Sequence, residues 1–155
     1  MKSIDLIELG YLSTLEIIGE GSIDLLQGQI TSDMAKVTDS QNCLGALCNV
    51  KGKVESSFLI IKKPEFENGF LLIGNREVMK TTENILQKYS PFYKLEMRIN
   101  DDFRFIAIDE GFLSLTFPET DLNLQVQVHE DFLRFHYLAK RFHLLLLKKE
   151  ADCFE

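Results

Sequence analysis

The densest run of polar side chains suited to binding a small molecule lies at residues 25–34, which read LLQGQITSDM. Gln27 and Gln29 each carry an amide that donates and accepts hydrogen bonds, and Thr31 and Asp33 add a hydroxyl and a carboxylate. A helix that ends near Gly28 and turns back would place these groups around a polar heterocycle. The same side chains are also suited to bonding turn backbone, so both interpretations stay open.

A second cluster of polar residues lies at residues 48–54, which read CNVKGKV. Asn49 begins a predicted turn, and Lys51 and Lys53 flank its glycine. Residues 51–99 hold nine Lys or Arg against six Asp or Glu, within a chain whose net charge is −7. A locally basic segment attracts a small anionic ligand, whereas the acidic whole argues against direct nucleic-acid binding.

The elements that must position these clusters are short. A strand over 13–19 ends at glycines, and Ser22 is predicted to cap a helix that Gly28 ends or bends. Asn75 is predicted to cap the clearest helix, 76–89, whose apolar residues recur every three or four positions. The remaining strands are predicted at 44–50, 54–61, 70–73, 94–99, 103–108, 112–117, 122–128, 132–137 and 142–147. Many strands and about two helices predict an α+β fold with a mixed or antiparallel sheet.

Three motifs in order resemble the YgfZ-like branch of the glycine-cleavage T-protein family. They are the Q-G-Q-x-T-x-D helix exit, the K-G-K-V turn, and residues 88–95, KYSPFYKL. Residues 138–142, LAKRF, add a weaker match. We therefore treat 1–155 as a single folate-binding-like unit, with 1–99 as the best-matched part and 100–155 as a second strand-rich part.

The resemblance implies a folate-binding pseudobarrel with tetrahydrofolate as the ligand, and our first hypothesis is a non-enzymatic folate-binding module. It further implies a role in assembling or maintaining iron–sulfur clusters, with an indirect effect on tRNA modification. The candidate ligand-binding residues are Tyr11, Gln27, Gln29, Thr31, Asp33, Asn49, Lys51 and Lys53. The two lysines would meet the glutamate tail of the folate, and Tyr11 would lie against the ligand.

Two departures from the family pattern matter. The aminomethyltransferase branch carries a pair of aspartates where this chain has Ser56 and Ser57, and a serine hydroxyl does not replace a carboxylate near neutral pH. The cysteine signature of the family's C-terminal region is absent, and Cys153 does not match it. The chain is therefore expected to be a fragment, half of a split gene or a degenerate remnant.

Two alternative functions stay open beside folate binding. One is a folate-dependent enzyme of the aminomethyltransferase type. The other is an interaction module without a ligand, which would pair with a second chain that supplies the missing half, or with itself, through exposed strand edges.

Metal, disulfide and membrane functions are disfavoured. If Ala139 and Lys140 form a two-residue turn, His136 and His143 lie across a hairpin, but the sequence offers no third metal ligand. The cysteines are three and match no disulfide or metal pattern. The longest apolar runs are only four residues, as at Leu144–Leu147, and no signal peptide is evident, so a cytoplasmic location is expected.

Overall fold

The computed structural model describes residues 6–137 and 139–150, and the side chains of these residues except 137 and 139–142. Contacts divide the chain into a continuous unit, Tyr11–Asp101, and a discontinuous unit formed by the segments before and after it. In the sequence, 1–99 is the best-matched part of one unit and not a separate domain. That both parts form a single folate-binding unit stays a prediction.

The continuous unit contains a five-stranded sheet. Its strands are β2 (Leu12–Ile18), β3 (Cys43–Cys48), β4 (Val54–Lys62), β5 (Gly69–Asn75) and β6 (Glu96–Asn100), in the spatial order β3-β4-β5-β2-β6. The helices α1 (Ser22–Gln29) and α2 (Arg76–Gln87) contribute Leu26, Met79 and Leu86 to one buried core with β-strand side chains. The same core includes Ile30 and Met34 and so anchors the first polar cluster to the sheet.

The two helix starts of this unit contrast with each other. The predicted cap of α2 is confirmed, because Asn75 Oδ1 accepts the amide of Glu77 at 3.0 Å. The predicted Ser22 cap is wrong: Gly21 holds the cap position, and Ser22 Oγ is buried without a hydrogen-bond partner. The Gly21 amide instead donates to the carbonyl of Lys94 at 2.9 Å, so a long-range contact fixes where α1 begins.

A buried carboxylate ties the middle of this sheet together. Glu16 of β2 is 1% exposed. Its Oε1 accepts from Lys63 Nζ at 2.6 Å and Asn100 Nδ2 at 2.9 Å, while Oε2 accepts from Arg98 Nε at 3.3 Å. Burial raises the pKa of Glu16, but the hydrogen bonds from Lys63 and Asn100 and the charge of Lys63 outweigh it and hold that pKa below the ordinary value of a glutamate.

The discontinuous unit contains a second five-stranded sheet. Its strands are β1 (Leu6–Glu8), β7 (Phe103–Asp109), β8 (Val126–Val128), β9 (Phe132–Tyr137) and β10 (Ala139–Lys148), in the order β1-β7-β10-β9-β8. Its core includes Ile108, Phe132 and Leu145. All strand pairs that the structure describes are antiparallel, which confirms the α+β class; the strands form two separate sheets and no closed barrel within the described ranges.

The described residues contain three α-helices where about two were predicted. The predicted strand at 112–117 is wrong, because Glu110–Thr116 forms the helix α3. Asp109 Oδ1 caps α3 by accepting the amide of Gly111 at 3.0 Å. Leu113 is fully buried, and Phe112 and Phe117 pack against the same core at helical spacing.

Strand β9 carries a fully buried arginine. Arg134 donates to the carbonyls of Asp121 at 3.1 Å and Leu124 at 2.8 Å, and Nη1 lies 3.0 Å from His143 Nδ1. Since Arg134 only donates, Nδ1 must accept, and Nε2 of His143 then carries the proton toward Glu110 Oε2 at 3.3 Å. Arg134 therefore anchors the loop before β8, and a neutral imidazole accepts a hydrogen bond from its remaining terminal nitrogen.

The predicted pairing of His136 with His143 is confirmed, with ring centroids 4.3 Å apart. The predicted two-residue turn is wrong, because Ala139 and Lys140 belong to β10 and Ala139 pairs with Tyr137. A register irregularity between Ala139 and His143 brings the two histidines opposite each other.

Replacing Glu16 by Gln should destabilise the continuous unit by about 3–5 kcal/mol, because Lys63 would stay largely buried without its carboxylate. Urea unfolding at pH 7 measures this. The exposed Glu20, whose pair with Lys94 is solvated, provides the control: Glu20→Gln should cost less than about 1 kcal/mol. A similar small loss for both variants would contradict the assigned role of Glu16.

The stability of the discontinuous unit should fall as the pH drops below about 6.5. Burial, together with the charges of His136 and Arg134, lowers the pKa of His143, although Glu110 raises it. The unfolded chain therefore takes up the proton first, and stability is greatest above the unfolded pKa. Unfolding at pH 7.5 and 5.5 should reveal this, with a smaller pH effect in His143→Gln.

The pKa of His129 is also lowered by burial, so His129→Gln serves as the companion variant. Each of the two substitutions, His143→Gln and His129→Gln, should remove part of the pH dependence of the unfolding free energy. An unchanged pH dependence in His143→Gln would show that His143 is not held neutral in the fold.

Candidate functional site

The first polar cluster is folded back on itself by its own side chains. Gln27 Oε1 accepts the amide of Met34 at 2.8 Å, and Asp33 Oδ1 accepts the amide of Ala35 at 3.0 Å, capping a short 3₁₀ turn at Met34–Lys36. Gln27 and Asp33 are exposed, while Gln29 is half-buried and its amide has no hydrogen-bond partner among the described residues. Gln29 is thus the member of the cluster whose side chain is free to meet a ligand.

Thr31 attaches this cluster to the sheet. Its amide donates to the carbonyl of Ala46 at 3.0 Å, and its Oγ1 accepts the amide of Ala46 at 3.1 Å. Ser32 Oγ also donates to the carbonyl of Leu44, and Ile30 forms a bridge with Leu47. These contacts cover the outer edge of β3, so the expected exposure of strand edges does not hold along this strand.

The second polar cluster forms a tight turn between β3 and β4. Asn49 Oδ1 accepts the amides of Lys51 at 2.9 Å and Lys53 at 3.0 Å. Gly52 has φ +79°, a left-handed conformation that favours glycine. The side chains of Lys51 and Lys53 are exposed, with no ion pair among the described residues. The turn is preformed and presents two free positive charges.

The structure brings most of the predicted residues to one end of the sheet. Thr31 bonds Ala46 near the end of β3, and the lysine turn follows directly after that strand. Tyr11 precedes β2 at the same end, where its carbonyl accepts the amide of Arg76 at 3.0 Å and its side chain is 54% exposed. Strands β4 and β5 separate Tyr11 from β3, so Tyr11 is not in contact with the cluster through the sheet.

The two serines that replace the family's aspartates lie on opposite faces of β4. Ser56 is 3% exposed, and its Oγ lies 3.0 Å from Thr82 Oγ1 of α2. Ser57 is exposed and pairs with Ala46. Ser56 therefore serves helix–sheet packing, and only Ser57 could reach a ligand.

The sequence analysis missed a cavity beside the Glu16 cluster. It measures about 260 Å³ and is lined by Glu16, Ile18, Glu96, Met97 and Arg98. The signal was present, because β2 reads LSTLEII and a single glutamate inside an apolar strand indicates a buried, partnered charge. Its partners could not be foreseen, since they lie 47 to 84 positions away along the chain.

Neither a metal centre nor a membrane span is found in the part of the chain that the structure describes. No three His, Cys, Asp or Glu side chains within it are grouped to hold a metal ion. None of its helices is both long and apolar enough to cross a membrane.

No established family profile matches the sequence. Individual proteins do: the tRNA-modifying protein YgfZ of Klebsiella pneumoniae is 35% identical over 92 residues, 59% of this chain and 27% of that protein. YgfZ of Colwellia psychrerythraea is 33% identical over 103 residues, 66% of this chain and 31% of that protein. The chain spans less than a third of the length of either relative.

Among solved structures, the glycine cleavage system aminomethyltransferase T of Bartonella henselae superposes with a TM-score of 0.76. The match covers 92% of this chain and 41% of that protein at 13% identity, so it establishes the fold alone. The curated relatives supply the sequence relationship that this structure does not. The chain is therefore YgfZ-like in sequence and has the fold of the N-terminal part of a glycine-cleavage T-protein.

Proposed function

We propose that this chain contributes a tetrahydrofolate-binding surface to a YgfZ-type protein of the cytoplasm. The observation that carries the proposal is the similarity to YgfZ proteins together with the T-protein fold. The cellular role that we propose is non-enzymatic: the protein helps to assemble or maintain iron–sulfur clusters and thereby affects tRNA modification indirectly.

The geometry supports a surface with a polar and a basic part. Gln29 has a free amide beside the segment that Thr31 attaches to β3, and the Asn49–Lys53 turn follows at the end of that strand. A pterin-like heterocycle needs donors and acceptors, and the glutamate tail of a folate needs positive charge. Gln27, Asp33 and Asn49 act on the ligand through the backbone that they hold in place.

An aminomethyltransferase activity is less well supported. Such chemistry needs a carboxylate near the one-carbon unit, and the corresponding positions hold Ser56, which is sealed under α2, and Ser57. An interaction module without a ligand would leave the free amide of Gln29 and the unpaired lysines without a role, so folate binding is the better account.

The 155-residue chain should bind tetrahydrofolate weakly, with a dissociation constant of about 100 μM or more. Tight small-molecule sites bury about 70–90% of the ligand, whereas Tyr11, Lys51 and Lys53 are exposed. Titration calorimetry under reducing conditions measures the constant. A low-micromolar value would contradict the open surface, and no binding at millimolar folate would contradict the proposed ligand.

Lys51→Glu with Lys53→Glu should weaken this binding by a few-fold to tens of fold, with a smaller effect at high salt, because exposed charges each contribute only about 0.2–1 kcal/mol. Lys80→Glu on α2 with Lys88→Glu, the residue directly after that helix, changes the net charge equally and serves as the control. An equal loss in both double variants would mean that net charge, and not the turn, attracts the folate.

In cells that lack the gene, iron–sulfur enzymes that modify tRNA should lose activity. The native gene should restore this activity, and the Lys51→Glu, Lys53→Glu version should restore less of it. The fraction of modified nucleosides, measured by mass spectrometry of total tRNA, reports the effect. Unchanged modification in the deletion strain would contradict the iron–sulfur role while leaving folate binding to be decided by calorimetry.

A further inference from the structure

The cavity beside Glu16 has opposite charges on its wall that do not pair with each other. Arg98 uses Nε to bind Glu16, and its two terminal nitrogens have no partner among the described residues. Glu96 lies two residues earlier on β6 and therefore on the same face, and its carboxylate has no partner in the described ranges either. A cavity that keeps both charges free is suited to a ligand that carries both.

We propose that this cavity binds a small zwitterion of the α-amino acid class. The ligand carboxylate accepts from the terminal nitrogens of Arg98, and the ligand ammonium donates to Glu96. Ile18, which pairs with Glu96 across β2 and β6, completes the wall and contacts an apolar side chain, whereas the side chain of Met97 packs against the core on the other face of β6. The proposal is independent of folate binding, because it involves none of the residues assigned to the folate surface.

Arg98 is held in place by a buried charge network. Its side chain is 69% exposed, but Nε is fixed on a carboxylate that is itself 2% exposed and bound by Lys63. A guanidinium is planar, so fixing Nε also orients the terminal pair of nitrogens, which matches the two oxygens of a carboxylate. Glu16 thus acts as a positioning residue, and its lowered pKa keeps it charged at neutral pH.

The charges select against ligands of a single sign. An anion would be repelled by Glu96 and Glu16, and a cation would be repelled by Arg98 and the nearby Lys63. The size selects against large ligands, since about 260 Å³ lies below the range of roughly 300–1,000 Å³ typical of drug-sized molecules. A single amino acid satisfies both restrictions, and a complete folate does not.

Titrations of the ¹⁵N-labelled 155-residue chain test the proposal, with L-leucine, isoamylamine and 4-methylpentanoate as probes. All three share a branched alkyl group. L-Leucine carries both charges, isoamylamine carries only the ammonium, and 4-methylpentanoate carries only the carboxylate. L-Leucine should shift the amide signals of Ile18, Glu96, Met97 and Arg98 with a dissociation constant on the order of 0.1–1 mM. The two singly charged analogues should bind at least about ten-fold more weakly, as expected when a group worth about 1.4 kcal/mol is lost.

Arg98→Gln and Glu96→Gln should each weaken L-leucine binding by about ten-fold or more, and Lys88→Gln should leave it unchanged. Both residues are exposed, and thermal unfolding of each variant checks that the fold is kept. Equal shifts from one singly charged analogue, or no shifts at 20 mM L-leucine, would overturn the proposal. So would unchanged binding in both folded variants.

Discussion

The ionised carboxylate of Glu16 is the interaction on which the continuous unit depends most. It joins β2 to β6 through Asn100 and Arg98, and to the end of β4 through Lys63. A charge removed from water in this way is tolerated only because three donors, two of them positively charged, are matched to it. The same matching fixes the register of the edge strand β6, since a shift by one residue would turn Arg98 and Asn100 to the other face.

The family motif has a structural meaning that extends beyond a ligand. Gln27, Thr31 and Asp33 all bond backbone groups, and together they lay residues 30–32 along the outer edge of β3. An edge strand with free amides and carbonyls invites pairing with other chains, and this segment occupies them. The residues that suggest a ligand site therefore also protect the edge of the sheet. Among the candidate residues of the two clusters, Gln29, Lys51 and Lys53 are the ones whose side chains have no such structural role.

Local signals were sufficient where the deciding contacts are local. The Asn75 cap lies two residues from the amide it binds, and the apolar stripe of α2 repeats within one helix. The strand prediction for 112–117 was wrong, because a short run of apolar residues suits a helix and a strand equally. The residue that decides for a helix is the cap, Asp109. The predicted cap of α1 was wrong for a different reason. The amide of Gly21 donates to the carbonyl of Lys94, which lies more than seventy residues away along the chain.

The residues of the candidate site also divide into those that local sequence patterns identify and those that long-range contacts determine. The two polar clusters were found from residue types. The backbone contacts of Asn49 are local, two and four residues apart, whereas those of Gln27 and Thr31 span seven and fifteen residues. The cavity and its charges depend on contacts across half of the chain, which no local pattern contains. Residue types therefore identified the groups that can bind, and the tertiary structure determined which of them remain available.

The continuous unit begins and ends on neighbouring strands, because Thr14 of β2 pairs with Asn100 of β6. It is thus built like an insertion, whose two ends lie close together. During synthesis, all its strands leave the ribosome before β7–β10 exist, whereas β1 must wait for β7, its sole described partner. Since units fold in order of their appearance, the continuous unit can be complete while β1 is still unpaired. The order of translation thereby separates the formation of the two antiparallel sheets in time.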